Sequence, residues 1–331
     1  MISNALALTH HGPLAAIAIL SNRGSRHLKP CALVPKSAKS EIKNASVVTP
    51  FYTLTFAQAT KKTIPSLRHW LRTLPQHEVQ AEPSSLLDAV HSSAWATPKS
   101  AHGVWKPSAV CTVNAADIQL KFESPEPPEV PLYEPRTVVV RNPQWHVPGT
   151  TEVAVSVPVM SFDIGLLLNR MLGSGGEFTT GGPGQGSLSL LAMHSPPGYL
   201  SLTSFLEPTT DGLYLLGIDA ITDKTVDVES AVTHLTSLLN ALSSCSKLDL
   251  KRAKAQATLA LMLEEDDPLL LAIHTSMRLI NNDHMPLADR IPLLHEVELN
   301  EVQSVAREIE VCRKAVVVVV DDEQSPRVDE E

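Results

Sequence analysis

The sequence predicts an α+β protein with two domains, on the basis of three observations. Its 331 residues exceed what one ordinary hydrophobic core requires, and they suffice for two. Strand-like segments are grouped with long amphipathic helices and rarely alternate with them, which favours mainly antiparallel sheets with helices on one face. The segment Ser124–Pro131 contains four prolines, which fix φ and remove hydrogen-bond donors, so it predicts an extended connector between the domains.

Composition excludes several classes of protein. Hydrophobic residues make up 43% of the chain and charged residues 19%, as in a globular protein with a core. No apolar run is long enough for a transmembrane helix, so we expect no membrane-spanning segment. A net charge of −9 argues against a nucleic-acid partner. The four cysteines show no paired spacing, which excludes a zinc ribbon or a disulfide scaffold and indicates a reducing compartment.

The amino-terminal segment supports two interpretations. Residues 1–40 contain five Lys or Arg residues and no Asp or Glu, a composition typical of a mitochondrial transit peptide. Within it, however, Gly12–Ser21 is predicted to be a strand that ends in a turn at Asn22–Gly24. The segment is therefore either a retained basic presequence or an already processed start whose first strand belongs to the fold.

The elements predicted for the first half are few. Ala45–Thr55 alternates like a strand, and Ile64–Thr73 and Ser84–Ala96 are predicted as short helices. At about 125 residues this half is shorter than the second. Domain boundaries are accordingly predicted at 1–124, a linker at 125–135, a second domain at 136–320 and an acidic tail at 321–331.

The second half is predicted to contain five strands and five helices. The predicted strands are Arg136–Arg141, Glu152–Val157, Tyr199–Leu206, Leu213–Ala220 and the apolar Ala315–Val320, which is expected to be fully buried. The predicted helices are Asp163–Leu172, Val228–Ser244, Asp249–Leu263, Leu269–Ile280 and Glu298–Val311. We expect Val228–Ser244 and Asp249–Leu263 to cover one face of the sheet formed by the last three strands. The acidic run Glu264–Asp267 is expected to start the next helix, ahead of Pro268, and to lie in a solvated turn.

A glycine-rich segment after the helix Asp163–Leu172 is the main candidate site. It holds seven of the fifteen glycines between Gly173 and Gly186. Gly186 is followed by Ser187 without the lysine of a Walker phosphate loop, and a helix precedes the segment where a dinucleotide fingerprint needs a strand. Two interpretations remain: a flexible loop that binds or lines a site, or a structural hairpin.

The glycine-rich segment, with Ser187–Leu191 after it, closely resembles the glycine-rich loop of the processing-peptidase α-subunit and complex III core-subunit family, within the pitrilysin-type metallopeptidase superfamily. Shorter similarities follow in the right order: Ala15–Arg26 with its Gly-Ser-Arg turn, Leu86–Trp95, Tyr133–Arg136 and Leu250–Ala255. The resemblance covers residues 12–26 and roughly 45–320. It implies two related domains, each a mainly antiparallel sheet with helices on one face, of which the amino-terminal domain is truncated.

The resemblance also marks what the chain lacks. Active members carry His-x-x-Glu-His on a helix after the Gly-Ser-Arg turn, where two His bind Zn²⁺ and the Glu acts as general base. None of the thirteen histidines lies in such a motif. The interval Leu28–Ser40, where that helix should lie, contains no acidic residue and two prolines. We therefore expect no catalytic residue, no metal, no cofactor and no enzymatic activity.

The resemblance implies a non-catalytic, α-like core subunit of mitochondrial respiratory complex III, a scaffold on the matrix side of the inner membrane. Its partners would be a β-type subunit and other subunits of that complex. Two alternatives remain open: the substrate-recognition α subunit of the processing peptidase, or a pseudo-peptidase recruited to another mitochondrial assembly. If the loop still binds presequence peptides, the residues implied are Gly173, Gly175, Gly176, Glu177, Phe178, Gly181, Gly182, Gly184 and Gly186.

Overall fold

The computed structural model describes residues 4–8, 14–21, 43–48, 53–60, 90, 109–113, 133, 135–141, 146–173, 197–208, 212–281, 283–312 and 315–321. The connector Ser124–Pro131 and the predicted helix Ile64–Thr73 lie outside these residues. Of the predicted helix Ser84–Ala96, Val90 alone is described, and it is helical and fully buried.

The first half of the chain forms a five-stranded sheet. Its strands are β1 (Asn4–Leu8), β2 (Leu14–Ser21), β3 (Lys43–Val48), β4 (Thr53–Thr60) and β5 (Ala109–Val113), in the order β1-β5-β2-β4-β3. The edge strand β1 pairs parallel with β5, and the other three pairings are antiparallel. The single predicted strand Ala45–Thr55 is wrong: the segment spans the end of β3 and the start of β4, which pair with each other.

The second half repeats this topology. Its strands are β6 (Thr137–Arg141), β7 (Thr150–Val159), β8 (Tyr199–Pro208), β9 (Tyr214–Asp223) and β10 (Val316–Asp321), in the order β6-β10-β7-β9-β8. Again the first strand pairs parallel with the last, and the remaining pairings are antiparallel. Because order and direction agree strand for strand, the two sheets are related units, as the resemblance implied.

Six α-helices are described, all of them in the second half. In the described part of the first half, Val90 is a single helical residue. The six helices are α1 (Phe162–Leu172), α2 (Val228–Ala241), α3 (Lys247–Asp266), α4 (Pro268–Ile280), α5 (Leu287–Glu296) and α6 (Leu299–Cys312). Helix α2 continues into a 3₁₀ turn, Leu242–Ser244. The sequence analysis missed α5, which has a proline, Pro292, inside it.

Local sequence explains where the helices begin. The Ser161 hydroxyl accepts from the backbone N–H of Ile164 at the start of α1, and Ser246 and Asp249 form a capping box at the start of α3. Asp267 ends α3 and caps α4, whose first residue is Pro268. The long helical stretch 247–280 is therefore divided at a proline preceded by a good N-cap.

The helices lie in two layers on the second sheet. Helix α1 packs against β8 and β9, α2 against β7 and β9, and α6 against β7. Helix α3 packs on α1, α4 and α5, so the prediction that Asp249–Leu263 covers the sheet directly is wrong. The short residues Ala253 and Ala257, both buried, allow α3 to approach other helices closely, and its weak amphipathicity gave no sign of this.

Helix α4 crosses to the other half of the molecule. It packs on β2, β5, β4 and β1 of the first sheet, not on the second sheet. Ala16, Ala18 and Cys111, which are neighbours on one face of that sheet, are completely buried. Small side chains at these positions leave room for a helix, so the two halves share one continuous core.

The closing strand β10 is less buried than predicted. Val316, Val318, Val319 and Val320 are buried, while Ala315 and Val317 are half-buried. The predicted strands Arg136–Arg141, Glu152–Val157, Tyr199–Leu206 and Leu213–Ala220 are confirmed as β6 to β9.

Candidate functional site

The predicted glycine-rich loop begins where α1 ends. Gly173 is the C-cap of α1, has a φ of 94°, and donates its N–H to the carbonyl of Arg170 at 3.1 Å. A left-handed residue at this position favours glycine and closes the helix. The other eight predicted site residues lie outside the described residues: Gly175, Gly176, Glu177, Phe178, Gly181, Gly182, Gly184 and Gly186. Their role in binding presequences stays a prediction.

Helix α1 is held against the sheet by a close approach. A Cβ on Gly165 would lie 2.9 Å from Cδ1 of Leu206 on β8, so glycine lets the helix lie directly on the strand. Leu167, Leu168 and Leu172 are fully buried beside it. The start of the glycine-rich loop is therefore attached to a rigid element of the second sheet.

A cavity of about 240 Å³ lies beside α1, at the place where α3 turns into α4. Asn169 and Arg170, from the last turn of α1, line it together with the end of β8 and the start of β9. The rest of the lining is mostly apolar: Phe162, Leu166, Leu206, Pro208, Tyr214, Ala260, Leu261, Leu263, Leu270 and Met277. Charged groups enter from Glu207, Glu264, His274 and Arg278.

A charged cluster lines one side of this cavity: Glu264 and Arg278 are buried, and His274 beside them is exposed. Arg278 Nη1 donates to Glu264 Oε1 at 2.9 Å, and its Nη2 donates to the hydroxyl of Thr275 at 3.1 Å. The other carboxylate oxygen, Oε2, lies 2.9 Å from His274 Nδ1. Glu264 is buried, so its expected place in a solvated turn is wrong. Glu265 and Asp266, beside it, are exposed.

The protonation of this cluster follows from its contacts. Burial alone would raise the pKa of Glu264, but the hydrogen bond with His274 and the positive charge of Arg278 outweigh it and lower that pKa. Glu264 is therefore ionised at neutral pH. It compensates the guanidinium of Arg278, a residue of α4 whose side chain is only 5% exposed.

The ring of Phe162, at the start of α1, contacts two buried arginines: Arg278 of α4 and Arg290 of α5. The guanidinium carbon of Arg290 is 4.8 Å from the centroid of Phe162, and that of Arg278 is 5.9 Å away. Arg290 Nη1 donates to Asp163 at 2.5 Å and Nη2 to Asp283. These contacts attach α5, and the turn before it, to the first residues of α1.

The described residues include no cluster of metal ligands and no reactive thiol at Cys111. Among them, no three His, Cys, Asp or Glu side chains converge as metal ligands would. Burial raises the pKa of the Cys111 thiol to about 12, in spite of the nearby charge of Arg278, so this thiol is protonated and unreactive at neutral pH. Glu264, His274 and Arg278 contact one another and join α3 to α4.

Sequence reasoning missed this cluster because its members are ten and fourteen residues apart and lie on two helices. One signal was available. His274, Thr275 and Arg278 interrupt the otherwise apolar helix Leu269–Ile280, and a charged residue on an apolar helix predicts a buried partner. The acidic run Glu264–Asp267, immediately before that helix, is the nearest source of such a partner.

Comparison with known proteins defines the class by fold. No family model matches the chain, and no curated protein matches its sequence. Solved structures do match, 198 chains in all. The chain has the processing-peptidase-like α+β fold, with two related sheets and helices on their faces.

Two solved structures illustrate this similarity. One is a chain of complex III2 from Candida albicans, in a structure with Inz-5 bound: the TM-score is 0.71 at 14% identity, over 97% of this chain and 95% of that one. The other is a protease from Helicobacter pylori, with a TM-score of 0.70 at 12% identity, over 97% and 98% of the two chains. At such identities the likeness establishes the fold alone.

Proposed function

We propose that this chain is a non-catalytic, α-like core subunit of mitochondrial respiratory complex III, a scaffold peripheral to the matrix side of the inner membrane. The observation that carries the proposal is the likeness to a chain of complex III2 along 97% of this chain. A protease matches equally well, so fold alone does not decide between the two. The sequence does favour one of them, because it has no His-x-x-Glu-His motif to hold zinc.

The described architecture fits a scaffold. Helix α4 covers the first sheet, α1, α2 and α6 cover the second, and α3 packs on α1 and α4 between them, so the two halves are held in a fixed relation. Arg278 is paired with Glu264, and Arg290 with Asp163 and Asp283, so both buried charges are compensated inside the molecule. None of the described helices is both long and apolar enough to cross a bilayer. Attachment to the membrane complex would then go through a β-type partner and other subunits.

The experiment is native electrophoresis of gently solubilised mitochondria that express the tagged full-length chain. We expect the tag to migrate with the haem bands of cytochromes b and c1, and depletion of the chain to diminish that complex. A tagged matrix protein of similar mass is the control and should migrate elsewhere. A tag that never migrates with the haem bands would refute the proposal.

A second candidate is the substrate-recognition role of a processing-peptidase α subunit, favoured by the glycine-rich sequence after α1. The structure suggests how to test it cleanly. Deletion of residues 174–186 retains Gly173, and with it the left-handed C-cap of α1. If this role is correct, presequence cleavage by the chain with its β-type partner falls sharply while association of the two is kept. Unaltered cleavage would eliminate this candidate.

A further inference from the structure

A basic groove lies between the first half of α3 and the start of α6. Lys247, Lys251 and Lys254 line its α3 side, and Leu299, Asn300 and Gln303 line its α6 side; we call it the lysine groove. The three lysines follow spacings of four and three residues, which places them on one face of α3. The groove has a volume of about 830 Å³ and is open to solvent.

The electrostatics of this groove differ from those of the whole chain. The net charge of the chain is −9, yet three ammonium groups line one groove. Both flanking helices, α3 and α6, begin at the groove, so the positive ends of two helix dipoles lie beside the lysines. Glu298 is the one acidic residue in the lining.

One of the three lysines makes a contact within the fold, and the other two are exposed. Lys254 Nζ donates to the carbonyl of His295 at 2.7 Å, which ties α3 to the end of α5. Lys247 and Lys251 are exposed, and within the described part of the chain neither forms an ion pair. Their charge is therefore available to an incoming anionic group.

The shape of the groove indicates the kind of anion. Between the lysines, Leu250 is buried in the floor and Leu299 is half-buried. An apolar floor beside a row of lysines on the α3 wall suits an extended peptide that presents apolar and acidic side chains in turn. A flat lipid surface would need lysines on a convex face instead. A basic presequence would be repelled.

We propose that the lysine groove binds an acidic peptide segment of a partner protein. Charge complementarity supplies orientation and rate of association, and the apolar floor supplies buried area. This inference does not depend on the proposed function, since it rests on α3 and α6 and on no feature of the glycine-rich loop.

The test measures binding of a short fluorescein-labelled peptide of alternating Glu and Leu to the full chain, by fluorescence anisotropy. We expect binding that weakens as salt is added. The double variant Lys247→Glu/Lys251→Glu should weaken it about tenfold or more, and Lys247→Gln/Lys251→Gln by a smaller factor. Arg252→Glu is the matched control: it reverses an exposed charge on the same helix outside the groove, and should change affinity less than about twofold.

Four outcomes would overturn the proposal. If Arg252→Glu weakens binding as much as the double Glu variant does, the attraction is not specific to the groove. If a peptide of alternating Lys and Leu binds equally well, the groove does not distinguish acidic from basic peptides. Binding to vesicles of anionic phospholipid, lost in the double Glu variant while the peptide does not bind, would make the groove a membrane contact. Peptide binding by a chain that ends at Asp321, but not by the full chain, would identify the chain's own acidic segment as the occupant.

Discussion

Arg278 Nη1 donates to Oε1 of Glu264 at 2.9 Å, and this contact joins the helix that covers the first sheet to the helix layer of the second. Both side chains are at least nine-tenths buried. Removing one partner of such a pair strands a charge without compensation, which costs more than the pair itself contributes.

We therefore expect Glu264→Gln to destabilise the protein by about 2–4 kcal/mol, because the guanidinium of Arg278 stays buried without its carboxylate. Glu265→Gln, at the neighbouring exposed position, is the matched control and should cost less than about 0.5 kcal/mol. Urea unfolding at neutral pH measures both. Equal losses in the two variants would contradict a buried pair.

The difference in unfolding free energy between wild type and Glu264→Gln should depend on pH in a definite direction. The folded state lowers the pKa of Glu264 below its ordinary value of 4.5, so the stabilisation is complete above that value and is lost as pH falls through the folded pKa. The gap in unfolding free energy between wild type and Glu264→Gln should shrink on acidification. A gap that widened would mean that Glu264 is protonated in the folded protein.

The pKa of Asp219 is shifted in the opposite direction to that of Glu264. Burial, with the nearby charge of Glu152, raises its pKa from 3.8 to about 6. Its ionisation therefore costs stability, and the cost grows as pH rises from the unfolded pKa through the folded one. Asp219→Asn should stabilise the protein by about 1–2 kcal/mol above neutrality and by almost nothing in acid. Thermal unfolding across pH measures this, with the exposed Glu308→Gln as control; a gain independent of pH would contradict the assignment.

Gly217 on β9 lies under the ring of Phe205 on the neighbouring strand. A Cβ there would lie 2.2 Å from Cζ of that ring, so Phe205 would have to move. Gly217→Ala should cost about 1–3 kcal/mol, by overpacking. Adding Phe205→Leu to that variant should recover part of the loss, which a double-mutant cycle of urea unfolding measures. Simple additivity of the two changes would show that they do not clash.

Zinc binding tests the absence of catalysis. A pitrilysin-type site needs two helical histidines and a distal glutamate, and the chain has no His-x-x-Glu-His motif. Elemental analysis of the purified chain should find no stoichiometric zinc, and any peptidase activity should depart with a co-purifying β-type partner. One zinc per chain, removed by a chelator together with activity, would overturn the non-catalytic assignment.

Much of the second half could be predicted from sequence, because its signals are local. The strand alternation of Tyr199–Leu206 and the stripe of Val228–Ser244 each arise from neighbouring residues, and both elements are present in the structure. The first half was harder to predict. Its strand pair β3 and β4 was read as one strand, since the sequence alternation of Ala45–Thr55 continues from the end of β3 into the start of β4.

The sequence by itself determined the α+β class, most elements of the second half, the helix that ends where the glycine-rich segment begins, and the lack of a zinc motif. Each of these depends on residues a few positions apart. Tertiary structure alone decided that the two sheets share one topology, that α4 covers the first sheet, and that Glu264 is buried against Arg278. These depend on which distant segments exclude water from one another, and no local pattern encodes that pairing.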